Sequence, residues 1–291
     1  MSAVPSAAPA PSLRPSSTLI LLRDASQGLE VLMLKRHGQS AVLGDTFVFP
    51  GGKVDGDDVR LDAARHLDAS VQTLHARLGE PEIDVATAAG FYVAALREAF
   101  EEAGLLLAQG LSPEACTEAR ARLGSGVAFN ALVAELGLRL QVDALAPWSR
   151  WITPVRSVNK QRFDTRFFVA RTPAQGIVRH DGHETTEAAW LRPRAALETY
   201  WDGGMALAPP QIMTLAHLAR HDAVDAVLAD ARSRLPALVA PRVLGEGDTL
   251  AMCYPGDQEH PVCQRAMPGP LRLLVRGKRY EPQGGFDAFF A

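Results

Sequence analysis

The hydrophobic positions change period along the chain. Residues 19–22 and 29–35 are short apolar runs of strand character, with DASQG between them as a turn. TFVFPGG, starting at Thr46, reads as another strand, stopped by Pro50 and two glycines. Over 59–78 the spacing becomes helical: Leu67, Val71, Leu74 and Leu78 recur at intervals of three and four, and Gly79 and Pro81 end the run. Further helices are predicted over 87–106, 113–123 and 127–136, and a long amphipathic one over 209–233. RWITPV, RFDTRFFVAR and AAWLRP have strand character, and LRLLVRGKRYEP reads as a closing hairpin. Strands and helices interleave without a regular βαβ rhythm. This predicts an α+β chain with a mixed sheet rather than a doubly wound one.

Composition narrows the function classes. At 47% hydrophobic over 291 residues the chain can fill a core, and its net charge of −3 provides no field for collecting nucleic acid. The three cysteines, Cys116, Cys253 and Cys263, have neither disulfide-framework nor zinc-finger spacing. No apolar run approaches the roughly 18 residues of a membrane span. The Ala/Pro/Ser-rich residues 1–17 read as a disordered tail rather than a secretory signal. The ending DAFFA lacks a peroxisomal Ser-Lys-Leu, so the expected location is the cytoplasm.

The stretch LREAFEEAGLL then stands out. At about 100° per residue, Glu98, Glu101 and Glu102 share an arc about 100° wide, opposite an apolar stripe of Val93, Leu96, Phe100 and Ala103. Like charges at this spacing repel. A solvated acidic face is the commoner meaning of such a run. The alternative is a site for a hard divalent cation, which takes oxygen ligands and would offset the repulsion. The upstream Pro-Gly-Gly corner favours the second reading, because glycines let backbone donors approach a phosphate or a metal closely.

Gly52, five residues, Asp58, and later REAFEEAGL together resemble the Nudix box, with Arg97, Glu98, Ala99, Glu101, Glu102, Gly104 and Leu105 matching its second half in order. There are two departures. Asp58 stands where the box has Glu, one methylene shorter, which challenges the family's ion pair to Arg97. In addition, 38 residues (59–96) lie between Asp58 and Arg97 where the box has seven. An interruption here resembles the Nudix branch of peroxisomal coenzyme A diphosphatases and their bacterial relatives, as do APWSRWITP, RFDTRFF and YPGD. The resemblance implies a Nudix-type α/β/α sandwich over 18–235. A helical insertion at about 59–86 would project as a cap near the site mouth, and residues 236–291 would pack on the same domain as a C-terminal extension. A long insertion is tolerable if its ends lie close, since closure entropy grows slowly with length.

The resemblance also implies a Mg²⁺- or Mn²⁺-dependent hydrolase of a diphosphate linking a nucleoside to another group, with coenzyme A or acyl-CoA ahead of ADP-ribose or NADH. A Nudix-fold module that binds a nucleotide without cleaving it is the rival from another class; the survival of all three glutamates favours activity. Arg97, Glu98, Glu101 and Glu102 would form the catalytic set, with Glu101 and Glu102 the main metal ligands, Glu98 a further ligand or a help in deprotonating the water, and the Gly52 carbonyl completing the coordination. Lys35, Arg36, Arg162 and Arg166 are candidate phosphate contacts, and Glu184 or Glu187 a base outside the box, with His183 nearby. Trp148 and Trp151 could stack on a base, although core packing is the commoner role. The expected partner is a small-molecule nucleotide, with neither nucleic acid nor membrane, and there is room for a homodimer.

Overall fold

The computed structural model describes residues 12–38, 44–156, 161–173, 178, 184–277 and 279–291. In chain order its elements are β1 (Leu13–Ala25), β2 (Gly28–Arg36), β3 (Thr46–Val48), β4 (Gly51–Lys53), α1 (Gly56–Arg60), α2 (Ala63–His66), α3 (Val71–Leu78), α4 (Val85–Ala103), β5 (Ala108–Gln109), α5 (Pro113–Gly124), α6 (Phe129–Glu135), β6 (Arg139–Leu140), β7 (Ala146–Ile152), β8 (Arg162–Arg171), β9 (Thr185–Leu191), α7 (Pro193–Trp201), β10 (Ala206–Leu207), α8 (Pro209–Leu218), α9 (Val224–Ser233), β11 (Ala237–Val239), β12 (Arg242–Leu244), β13 (Ala251–Cys253), β14 (Arg272–Arg276) and β15 (Arg279–Pro282). The main sheet runs β10-β3-β2-β1-β8-β7-β11, with β4 also on β1 and β9 also on β2. β1 and β8 are parallel while β1 and β2 form an antiparallel hairpin, so the sheet is mixed.

Alternation along the central strands builds two cores. Leu19, Leu21, Leu32 and Leu34 face a layer made of α3 to α6. Ile20, Leu22, Val31 and Met33 face the opposite layer of α7 to α9, together with Tyr254, Leu273 and Phe289 from the C-terminal segment. The result is helices on both faces of a sheet, as the α/β/α expectation required. Trp148 and Trp151 are core residues, 0% and 4% exposed. Among the described residues no helix is long and apolar enough to cross a membrane.

Several sequence expectations need correction. β1 begins at Leu13, inside the expected tail, because Leu13 to Ser17 pair in parallel with Arg162 to Arg166; backbone pairing orders a stretch that has no apolar pattern until Leu19. Residues 1–11 of that tail lie outside the described residues. The single helix over 59–78 is three short ones. Asp62 and Ser70 accept hydrogen bonds from Arg65 N and Thr73 N, and such N-caps restart the helix in a new direction. The helix over 209–233 is likewise two, because the Asp24 carboxylate, arriving from the β1–β2 hairpin, accepts from Val224 N at 2.9 Å and starts α9 afresh. α4 ends at Ala103 rather than 106, where Gly104 adopts φ 71°. α7 was missed, although Pro193 at its first turn is a start signal.

The insertion does not project. Leu74 and Leu78 of α3 are 0% and 2% exposed in the α4 core, and Tyr92 donates to Leu74 O at 3.2 Å. Its ends meet where an uninterrupted motif would be joined: a Cβ on Gly90 would lie 2.7 Å from Val59 Cγ2, so only glycine lets α4 approach α1 this closely. A buried ion network then ties the insertion to the sheet. Arg166 of β8 grips both oxygens of Glu80, with its Nε at 3.0 Å, and lies 4.0 Å over the Phe91 ring, while Arg150 reaches Glu80 at 2.7 Å and Asp164 at 2.8 Å. Removing Arg166 leaves the buried Glu80 charge with Arg150 alone and opens the two-pronged grip. Arg166→Ala is therefore expected to lower the unfolding free energy by about 3–5 kcal/mol, measured by urea denaturation. A loss within about 0.5 kcal/mol, the range of ordinary surface substitutions, would mean that the network does not hold the insertion.

Candidate active site

The site starts from one strand shared between two others. β3 pairs with β2 and β4 with β1, so the chain must turn between Val48 and Gly51. Leu19 N donates to Pro50 O at 2.9 Å across this turn. The corner admits no side chains: a Cβ on Gly51 would sit 2.5 Å from Ser17 O, and one on Gly52 would sit 2.5 Å from Glu98 Oε1. The freed backbone faces α4. Gly51 N donates to Glu102 Oε2 at 3.0 Å, and Gly52 O accepts from Ser16 Oγ at 2.6 Å.

Arg97 is the centre of the arrangement. Its Nε and Nη2 make a two-pronged bond to Asp58 at 2.8 and 2.9 Å, Nη1 donates to Glu98 and Glu101 at 2.9 Å each, and Nη2 also reaches Lys53 O at 2.9 Å. The shorter Asp58 arm therefore does make the loop-to-helix pair. It can do so because Asp58 is carried on α1 and fixed from behind by the amide of Asp55, 2.7 Å away. The carboxylate face of α4 is not a solvated one, since Glu102 and Arg97 are 4% and 8% exposed. Nor do the three glutamates gather about one point: among the described residues they do not each bring an oxygen within 4.8 Å of the others, and Arg97 stands between Glu98 and Glu101. Glu101 is the most open, at 34% of its side chain, and looks into a cleft of about 600 Å³ lined also by Asp55, Asp58, Arg120 and Asn130. No local pattern marks Arg120 and Asn130, because α5 and α6 reach this cleft only through tertiary packing.

One arginine does not balance four carboxylates. Burial pushes the Glu102 carboxyl up to about 8, and the neighbouring Glu98 charge adds to it. Burial likewise raises Glu98 to about 7 against the pull of Arg97, and raises Glu101 for the same reason. Excess negative charge, hard oxygen donors and a side-chain-free glycine corner make up a donor set that suits a divalent cation.

The remaining candidates divide. Arg36 lies in the field of Glu102, and Glu184 is 3.9 Å from Arg36, so both belong to the site's surroundings. Lys35 instead lines a separate pocket of about 360 Å³ with Phe47, Tyr200 and Arg279. Glu187 is exposed and paired in register with Lys35. Arg162 donates to Thr153 O at 3.0 Å, and Arg166 is committed to Glu80 and Asp164, so the paired phosphate grip expected of the two is not formed. The Arg166 guanidinium is claimed by Glu80 from a distant segment and by Asp164 on its own strand. His183 lies outside the described residues.

A glycine corner folded over a charge-linked helix, with helices on both faces of a mixed sheet, defines a Nudix fold. The crystal structure of a NUDIX hydrolase from Alicyclobacillus acidocaldarius has the same fold, with a TM-score of 0.61 and 27% identity over 78% of this chain and 98% of that one. The NUDT19 Nudix domain model matches residues 2–218, and the chain belongs to that family. It is 29% identical over 244 residues to the acyl-coenzyme A diphosphatase NUDT19 of Xenopus laevis, covering 72% of this chain and 64% of that protein, just under two thirds of its length. It is 28% identical over 286 residues to the Gallus gallus protein of the same name, covering 80% and 73%.

The raised carboxyls give stability a sign. A group whose folded pKa lies above its unfolded value stabilises most below the unfolded pKa, and that stability is lost as pH rises through the folded pKa. In a chelating buffer the melting temperature is expected to fall between about pH 5 and pH 8.5. Glu102→Gln keeps the acceptor for Gly51 N and deletes the charge, so it should raise the melting temperature at the alkaline end and flatten the slope. Thermal scans across pH would refute this if the variant melted lower than the parent at pH 8.5, to within about 1 °C.

Proposed function

We propose that the protein hydrolyses a diphosphate joining a nucleoside to another group, with coenzyme A or an acyl-CoA as the substrate. The observation that carries this reading is the Arg97 fork, which holds Glu98 and Glu101 beside Glu102 under a glycine corner while leaving their negative charge unbalanced. Glu98, Glu101 and Glu102 would hold Mg²⁺ or Mn²⁺, and the Gly52 carbonyl, which already accepts from Ser16 Oγ, would complete the coordination. Bound metal would neutralise the phosphate oxygens and lower the pKa of a bound water.

The chain's own residues do the rest. Arg97 fixes the glutamates without consuming Glu102, and Asp58 fixes Arg97. Where Glu98 is not itself a ligand, its carboxyl, raised by burial, is suited to exchange a proton near neutral pH. Arg36, beside Glu102, is placed to meet diphosphate charge, with Glu184 near enough to serve as a base from outside the helix. The named activity of the NUDT19 relatives supports the CoA assignment. A CoA substrate carries a 3′-phosphate, which calls for a cation away from the metals. Lys35 remains for that role, and Arg166, held by Glu80 and Asp164, does not.

CoA is accordingly expected to yield 3′,5′-ADP and 4′-phosphopantetheine, with a higher kcat/KM than dephospho-CoA, ADP-ribose or NADH, as read by product mass. Preference for ADP-ribose or NADH by tenfold, about 1.4 kcal/mol of transition-state discrimination, would reassign the substrate. Cleavage of none of the four with metal bound would mark a binding module. Glu102→Gln should lose at least about 100-fold in kcat/KM, roughly 2.7 kcal/mol, while its circular dichroism matches the parent. Parental turnover at limiting Mg²⁺ would remove Glu102 from the ligand set.

A further inference from the structure

On the opposite layer from the carboxylate helix, the break between α8 and α9 gathers a second group of donors. α8 ends at Leu218, and a tight turn follows in which His221 N bonds back to Leu218 O at 3.0 Å. His217 and His221 therefore stay on one side of that turn. α9, started by Asp24, comes back across them and delivers Asp230. In one continuous helix Asp230 would lie about 20 Å along the axis from His217, at about 1.5 Å per residue. Only the break makes the three neighbours.

Their geometry is that of ligands. Asp230 Oδ2 lies 3.2 Å from His217 Nε2 and 3.4 Å from His221 Nε2. Bonds of about 2.0–2.2 Å to zinc require donor-to-donor edges of about 3.3–3.5 Å in a tetrahedron, so both edges are close to the required length. Among the described residues this is the group of three His, Cys, Asp or Glu side chains whose ligand atoms lie mutually within 4.8 Å. The atoms are also unsatisfied: His221 Nε2 and Asp230 Oδ2 are buried without a hydrogen-bond partner, as are His217 Nδ1, Arg234 Nη2 and Trp148 Nε1 around them. Buried orphans of this kind are rare, and several in one place mark a missing ligand or ion.

We propose that His217, His221 and Asp230 form a binding site for zinc or a similar imidazole-seeking divalent ion, which staples α8 to α9 independently of the Nudix site. Two imidazoles and a carboxylate suit such ions, whereas Mg²⁺ prefers all-oxygen sets. The surroundings agree. Arg234 occupies the other Asp230 oxygen at 3.1 Å and turns its remaining charge to the Trp148 carbonyl and ring, which orients the free Oδ2 toward the histidines. Burial, with the Arg234 charge beside it, lowers His217 to about 4, so this ring is the neutral imidazole a metal needs. Burial pushes Asp230 up, but the hydrogen bond and charge of Arg234 together with the two histidines outweigh this and hold the carboxyl below its usual range. The side chains of His217, His221 and Asp230 are 7%, 16% and 25% exposed, an opening by which an ion can enter.

The test strips the 291-residue chain with chelator and presents Zn²⁺ with excess Mg²⁺ to occupy the oxygen site. The parent and Glu102→Gln should each retain one zinc per chain and melt higher with it. His221→Asn should bind it at least about 100-fold more weakly and show no thermal gain, with hydrolysis of nucleotide unaffected. His221→Cys should restore binding, because thiolate is also a zinc ligand. X-ray absorption on the zinc-loaded parent should show nitrogen and oxygen neighbours with imidazole outer scattering, and this needs no variant to fold. No zinc retained by the parent, His221→Asn retaining it as tightly as the parent, or an absorption spectrum without imidazole would each overturn the assignment.

Discussion

The buried guanidinium of Arg97 is the interaction on which the site depends. A planar donor fork with an always-present charge can hold a loop carboxylate, two helix carboxylates and a backbone carbonyl at once. Lysine could supply the charge but not the directions. Without this fork, Asp58 would be a 2%-exposed carboxylate with no cation beside it, and the loop carrying the glycine corner would have no fixed place over α4. The corner in turn depends on having no Cβ at Gly51 and Gly52, since Ser17 and Glu98 fill that space. Positive fork and bare backbone together bring Glu98, Glu101 and Glu102 into low dielectric with less countercharge than they need. That imbalance is unfavourable for the fold by itself.

The long interruption of the box is compatible with this machinery because it closes on itself. Val59 packs against Gly90, so the loop before the interruption and the helix after it stay together. The intervening helices are not an appendage. Leu74, Leu78 and Tyr92 belong to one core, and Glu80 is locked to Arg166 on the sheet. A second long-range carboxylate, Asp24, does comparable work on the other layer, where it caps α9 and turns it back over α8. Asp24 redirects the backbone at a point where periodicity alone would have continued a helix, whereas Glu80 ties down a loop that Gly79 had already turned.

Much of the site was legible in the chain. Arg97, Glu98, Glu101, Glu102 and Gly52 lie within two short motifs, and their spacing on a 3.6-residue helix places them on one face before any fold is known. The central strands were legible for a similar reason: both their faces are apolar, so they appear as unbroken hydrophobic runs. The α+β class followed from the order of those runs.

What the sequence could not decide were the partners each charge would find. Asp58 was one methylene short on paper, yet α1 carries it to Arg97. Arg166 resembled a phosphate contact, yet Glu80, 86 positions away, claims it. Residues 13–17 had no apolar pattern, yet β8 orders them. His217, His221 and Asp230 fell in one predicted helix and meet only because Asp24 breaks it. Local spacing fixes which residues share a face, because helix and strand geometry repeat with a constant period. Which charges are buried together depends on contacts between segments far apart in the chain, and no local period encodes those.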